Sequence, residues 1–302
     1  MTAPAGDTRC GFVALIGAPN AGKSTLLNTL VGTKLAIVTH KVQTTRTRLI
    51  GIALDGPAQL VFVDTPGIFA PRRRLDRAMV QAAWSGAADA DLIVLLVDAK
   101  KGMDDEVSRI VEGLQAAGRT AILALNKVDT VRRDSLLGLS AALNDTGVFD
   151  QTFMISALTG DGVADLRAHL AASVPPGPWL YPEDQITDVT QRLLAAEITR
   201  EKVYLRLHQE LPYASTVETE AWREQKDGSV RIEQVIHVAR DSHKGIVIGK
   251  GGRTLKTIGE LARQDMEQVF ERRVHLFLHV RVSERWAEDR EHYLDMGLEY
   301  VD

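Results

Sequence analysis

The chain has 302 residues, 45% hydrophobic and 25% charged, with 36 basic against 40 acidic side chains and a formal net charge of −4. That length is about twice a typical domain and supplies ample apolar material for buried cores, which excludes a stapled miniprotein or a disordered polypeptide. The one cysteine, Cys10, excludes an intrachain disulfide and fits a reducing compartment, and the charge balance excludes a uniformly basic protein while leaving room for a local basic patch.

Residues 1–9 read as a disordered N-terminus without the apolar core of a secretion signal. The longest strongly apolar run, 92–97, is far too short to span a bilayer. A soluble, cytoplasmic, two-domain protein is expected. Short apolar runs at 12–16, 60–63, 92–97, 121–125 and 152–155 alternate with longer amphipathic or polar segments. The run 92–97 shows no polar alternation, as expected of a strand buried on both faces of a parallel sheet. The spacing predicts a doubly wound α/β domain over 10–173. Pro175, Pro176, Pro178 and Pro182, with Gly177, then interrupt both helix and strand. They mark a linker at 174–188.

Beyond the linker the pattern changes. A helix is predicted over 190–209, strands near 217–222 and over 230–238, a short apolar turn at 246–248, and a helix spanning 255–269. Val274, Leu276, Leu278, Val280 and Val282 alternate strictly with His275, Phe277, His279 and Arg281, the strongest strand signal in the chain. Residues 189–302 read as a smaller α+β domain.

The chemistry begins after the first apolar run. Gly17-Ala18-Pro19-Asn20-Ala21-Gly22-Lys23-Ser24, followed by Thr25 at a helix start, fits G-x-x-x-x-G-K-[ST]. Glycines let backbone N–H groups converge on phosphate oxygens, and the helix N-terminus adds a favourable dipole. Lys23 supplies a point charge to the β- and γ-phosphates and Ser24 a hydroxyl to Mg²⁺. Asp64-Thr65-Pro66-Gly67, with Ile68 behind it, follows the next apolar run, where a carboxylate serves Mg²⁺ through water and the glycine N–H serves a γ-phosphate. Asn126-Lys127-Val128-Asp129 follows a further run. Guanine offers N1–H and N2–H₂ side by side, and the Asp129 carboxylate accepts both, whereas adenine would leave the charge unpaired. Lys127 has a stem long enough to lie along the purine face, and Asn126 is placed to tie loops together. Ser156-Ala157-Leu158 has a backbone N–H to offer guanine O6. Every element stands at the C-terminal end of an apolar run, the edge at which open α/β sheets bind ligands.

These motifs resemble a small GTPase of the translation-factor-related class over residues 10–172. The resemblance implies GTP and GDP as ligands, hydrolysis with Mg²⁺ held by Ser24, Asp64 and a switch threonine, and catalytic roles for Lys23 and Gly67. Within Gln43-Thr44-Thr45-Arg46, Thr45 is favoured as that threonine, with Thr44 as the alternative. Where Ras-like enzymes place a water-orienting glutamine this chain has Ile68, so no water-positioning residue is assigned and turnover is expected to be slow without a partner. Asn20 resembles the asparagine by which some related GTPases hold K⁺.

The second domain carries Gly249-Lys250-Gly251-Gly252, a G-x-x-G loop ahead of a helix start at Arg253. Such a loop lets backbone approach a nucleic-acid backbone closely, and Ile246 and Ile248 are placed to floor the groove beneath unstacked bases. Arg240, Lys244, Lys250, Arg253 and Lys256 face a single acid, Asp241, over 240–256. The element order resembles a type II KH domain, a binder of single-stranded nucleic acid. A GTPase domain followed by a KH domain resembles the Era family of ribosome-associated GTPases, and the resemblance extends to Glu210-Leu211-Pro212-Tyr213 and to residues 297–302. It implies binding near the 3′ end of small-subunit (16S) ribosomal RNA, a role in 30S subunit assembly, no DNA partner, and peripheral association with the inner membrane, for which the sequence shows no anchor. A non-enzymatic RNA-binding assembly chaperone that uses GTP as a structural ligand is the alternative, resting on Ile68.

Overall fold

The apolar runs of the first half become the strands of one sheet. A computed structural model describes residues 8–39, 41, 49–71, 74–207, 211–212, 215–283 and 298. In chain order its first part contains β1 (Arg9–Gly17), α1 (Lys23–Val31), β2 (Leu49–Asp55), β3 (Ala58–Asp64), α2 (Arg74–Ala88), β4 (Leu92–Asp98), α3 (Asp105–Ala116), β5 (Ala121–Asn126), α4 (Arg133–Asn144), β6 (Phe149–Met154) and α5 (Val163–Ser173). The sheet order is β2-β3-β1-β4-β5-β6. All pairings are parallel except β2 with β3. Val94, Leu95, Leu96 and Val97 are fully buried, as the unbroken apolar run requires. Strand order reverses around β1, which has β3 on one side and β4 on the other, and the C-terminal edge there is the place such sheets receive a ligand.

Two features depart from the sequence expectations. The strand β2 was not anticipated; it exists as the antiparallel partner of β3, and Gly51 within it admits α1, because a Cβ there would lie 2.7 Å from Leu27 Cδ1. Arg9, expected in the N-terminal tail, opens β1: its N–H donates to Pro57 O at 3.0 Å and its Nε to Val174 O at 2.8 Å. The proline-rich stretch is laid against the same unit. Gln59, fully buried on β3, accepts the N–H groups of Leu180 and Tyr181 at 2.8 and 3.0 Å and donates to Tyr181 O at 2.8 Å.

The second part contains α6 (Gln191–Arg206), β7 (Ser215–Glu224), β8 (Val230–Val238), α7 (Asp241–Ile248), α8 (Arg253–Phe270) and β9 (Val274–Val282). Its sheet runs β7-β8-β9, antiparallel then parallel. Leu194 and Ile198 of α6, Ile232 of β8, and Ala262 and Met266 of α8 form one buried cluster, at the helical and alternating spacings read from the sequence. The expected apolar turn at 246–248 is instead the last turn of α7. The chain divides into two compact units, one of residues 1–36, 45–188 and 296–302, the other of 37–44 and 189–295.

Candidate nucleotide and RNA sites

The phosphate loop joins β1 to α1. Gly22 caps α1 with φ 104°, and a Cβ there would lie 2.2 Å from Asn126 Nδ2, so both backbone conformation and space demand glycine. Asn20 also takes a left-handed conformation, φ 64°. Lys23, the first residue of α1, is buried and donates to Gly17 O and Ala18 O, each at 3.1 Å. Burial lowers its pKa to about 8, partly offset by the negative charges of Asp64 and Glu106. The Ser24 hydroxyl donates to Asp64 Oδ2 at 2.8 Å, which brings together two hard oxygen donors of the kind Mg²⁺ takes. Among the described residues no group of three His, Cys, Asp or Glu forms a metal cage, in keeping with an ion that shares its coordination sphere with phosphates and water.

The Asp64-Thr65-Pro66-Gly67 segment closes over this loop. Thr65 Oγ1 donates to Leu15 O at 2.9 Å, Ile68 N–H donates to Gly17 O at 3.1 Å, and a Cβ on Gly67 would sit 3.0 Å from Pro19. Ile68 is buried in the core with Ala14, Ile16 and Ala83. An apolar side chain committed to the core has neither the polarity nor the position to orient water. Thr44 and Thr45 lie outside the described residues.

The base-reading segments are wired to the phosphate loop by one side chain. Asn126, buried at the end of β5, donates from Nδ2 to Ala21 O at 2.8 Å and accepts Ala157 N–H on Oδ1 at 2.9 Å. Lys127, at φ 65°, reaches back so that Nζ donates to Asn20 O at 2.7 Å and pairs with Asp98 Oδ2 at 2.6 Å. Val128 and Asp129 lie in a single 3₁₀ turn, Val128–Thr130, with Asp129 exposed at its surface. Ser156 is buried, its N–H bonded to Asp161 O at 2.9 Å, while Leu158 stands 81% exposed. Thr25 lies in the first turn of α1, and Thr29, one turn on, donates to Ala157 O at 2.7 Å. The structure therefore gathers the sequence-predicted segments 17–25, 64–68, 126–129 and 156–158 at one sheet edge. Asp98 was absent from that set: a lone aspartate after an apolar strand carries no motif, and only the fold aligns it with Asn126 across β4 and β5.

In the second unit, Gly249 ends α7 at φ 71°, Gly251 follows at φ 63°, and Gly252 caps α8 at φ 78°. A Cβ on Gly249 would meet Thr254 Oγ1 at 2.2 Å. Val247 is buried, whereas Ile246 is 52% exposed and Ile248 partly so. Lys250, Arg253 and Lys256 are exposed and Lys244 is half-buried. The loop and the first turn of α8 thus present basic side chains and close-approach backbone together.

A family description, "50S ribosome-binding GTPase", matches residues 12–127, and a second, "KH domain", matches residues 210–287. GTPase Era of Rhizobium meliloti is 61% identical over 97% of this chain and 94% of its own. The chain belongs to the Era family of GTPases. GTPase Era of Brucella suis is 59% identical over 99% of this chain and 98% of its own. Among solved structures, a variant of Aquifex aeolicus Era bound to GDP.AlF4- superimposes with a TM-score of 0.91 at 35% identity, covering 96% of this chain and 99% of that one. An Era in complex with MgGDPNP and nucleotides 1506–1542 of 16S ribosomal RNA gives the same TM-score, identity and coverage. GTP hydrolysis is therefore the activity of the family to which this site belongs. No helix among the described residues is long and apolar enough to cross a membrane.

Proposed function

We propose that this chain is a GTP-driven switch whose nucleotide state governs capture of the 3′ region of 16S ribosomal RNA by its KH domain during 30S subunit assembly in the cytoplasm. Its division of labour follows residues 10–173 for the GTPase and 189–302 for RNA. The observation that carries the nucleotide half is the Asn126 bridge between Ala21 and Ala157, which makes phosphate cradle and base reader one object. Asp129 accepts the guanine N1–H and N2–H₂, Lys127 lies along the purine, and Leu158 gives its N–H to O6, since the N–H of Ala157 already serves Asn126. The backbone of 17–22, with Lys23 and the first turn of α1 through Thr25, cradles the β- and γ-phosphates.

Ser24 and Asp64, with Thr45 from the first switch, would hold Mg²⁺, which supplies charge neutralisation at the β- and γ-oxygens. Gly67 N–H donates to the γ-phosphate, and its release on hydrolysis relaxes the second switch. With Ile68 in the core, no side chain there orients the attacking water, so intrinsic turnover is slow and a partner accelerates it. Asn20 holds K⁺ as a further charge at the transferring phosphoryl group; replacing K⁺ by Na⁺ in a turnover assay slows the rate, and an unchanged rate rejects that role.

Gly249, Lys250, Gly251, Gly252, Arg253 and Lys256 hold the RNA backbone, with Lys244 adding charge and Ile246 and Ile248 flooring the bases. The complex of an Era with 16S ribosomal RNA supports this assignment. A peripheral inner-membrane location is attributed to the family alone. Linkage requires that GTP and RNA favour each other. Titrating a fluorescent 16S 3′-end oligonucleotide into the GDP form and into the form with a non-hydrolysable GTP analogue tests this: tighter binding with the analogue is expected, and equal affinities reject the switch.

A further inference from the structure

We propose that Asp98 is a positioning residue for guanine-nucleotide binding and acts through Lys127. The inference rests on the reading of Lys127 as the residue beneath the purine. Asp98 ends β4 in register with Asn126, beside the base-reading loop. Its Oδ2 pairs with Lys127 Nζ at 2.6 Å, and its Oδ1 accepts Lys100 N–H at 3.0 Å, which fixes the plane of the carboxylate. Its backbone is equally constrained, because its carbonyl accepts the N–H groups of Lys101 and Gly102 at 3.0 and 2.9 Å. The Asp98 side chain is 11% exposed and that of Lys127 35%, so the pair is partly withdrawn from solvent screening.

A lysine is a compact charge on a flexible four-carbon stem, and in water its tip samples many rotamers. Here both ends of the stem are fixed. The backbone sits at φ 65°, and the ammonium is held between the Asp98 carboxylate and Asn20 O, 2.7 Å away. The methylenes between those ends form a pre-ordered apolar strip, so their ordering entropy is lost on folding rather than on nucleotide binding. The same ammonium joins the end of β4 to the phosphate loop, so Asp98 fixes the distance between base reader and cradle. Since the contact serves the base side alone, it acts equally on GDP and GTP and leaves the chemical step untouched.

The test uses the full chain and stopped-flow release of a fluorescent GDP. Asp98→Asn is expected to speed release about tenfold, the scale of a hydrogen bond to a charged group. Turnover at saturating GTP should stay within about twofold, so that KM rises and kcat does not. Lys127→Met keeps a linear stem and removes the charge; in that background Asp98→Asn should leave release unchanged or slow it, because the aspartate has lost its partner. Asp98→Glu keeps the charge but displaces it by a methylene, and is expected to release GDP at a rate between those of wild type and Asp98→Asn. It serves if Asp98→Asn does not fold. Fast release from Lys127→Met with normal release from Asp98→Asn overturns the positioning role alone. Equal acceleration by Asp98→Asn in both backgrounds overturns it too, as the mark of a structural aspartate. Normal release from Lys127→Met overturns the purine-face reading itself, and the inference with it.

Discussion

The Glu201 carboxylate accepts the backbone N–H of Val38 at 2.9 Å, and its other oxygen takes the Lys202 ammonium at 2.8 Å. Lys202 continues to Asp265 on α8 at 2.5 Å, and the ammonium of Lys41 donates to the carbonyls of Tyr204 and Leu207 at the C-terminal end of α6. Residues 37–44, which precede the Thr45 of the first switch, thus belong to the unit that carries the RNA loop. A lysine on the last carbonyls of a helix satisfies orphan acceptors and opposes the negative end of the dipole.

Replacing one member of this buried relay leaves its partner charged without compensation. Glu201→Gln is expected to destabilise the protein by about 3 kcal/mol, since breaking a buried pair exposes the desolvation cost of the remaining ion. Urea unfolding followed by circular dichroism measures it; a loss below about 1 kcal/mol would place the relay among weak surface pairs.

Lys202 titrates in the opposite sense to Lys23. Burial opposes its charge, but hydrogen bonds from Asp265 and Glu201 outweigh burial and raise its pKa above the usual 10.5. A raised lysine stabilises the fold fully below its unfolded value, and that contribution disappears as pH climbs through the folded value. Alkaline unfolding should therefore begin at lower pH in Asp265→Asn than in wild type.

The folded pKa of Lys23, about 8, lies below its unfolded 10.5, so folding sheds a proton between those values and this group's contribution to stability grows with pH there. Phosphates restore the ammonium. GDP binding should take up protons above about pH 8 and weaken as pH rises further. Calorimetry at about pH 9 in two buffers of different ionisation enthalpy reads the uptake. Identical heats in both buffers would contradict it.

Gly249→Ala places a methyl 2.2 Å from Thr254 Oγ1 at a residue with φ 71°. Distortion of the loop should reduce affinity for a 16S 3′-end oligonucleotide about tenfold or more, while GDP affinity is unchanged. Retained RNA affinity would remove the loop from the interface.

Asp129→Asn replaces two acceptors with one acceptor and a donor. Guanine then loses its paired contact and xanthine, with a carbonyl at position 2, gains one; GDP should weaken by about a hundredfold or more and XDP strengthen. Parallel titrations with both diphosphates decide it.

The nucleotide site was legible in sequence because each motif is local: Gly17–Lys23 and Asn126–Asp129 need only a strand before them and a turn after. Strict alternation declared β9, and unbroken hydrophobicity declared β4. The strand β2 has neither pattern and exists through pairing with β3. Gly245 and three β-branched residues hid α7, an eight-residue helix whose formation depends on burying Val247.

Fold class, guanine chemistry and the RNA loop were therefore determined by the sequence alone, since each rests on residues within a few positions of one another. Tertiary structure alone decided that Asp98 meets Lys127, that Glu201 and Lys202 meet Val38 and Asp265, and that Ile68 belongs to the core. The partners in those charge contacts lie tens to more than a hundred residues apart, and Coulomb attraction and burial act through space, leaving no period or spacing along the chain to read.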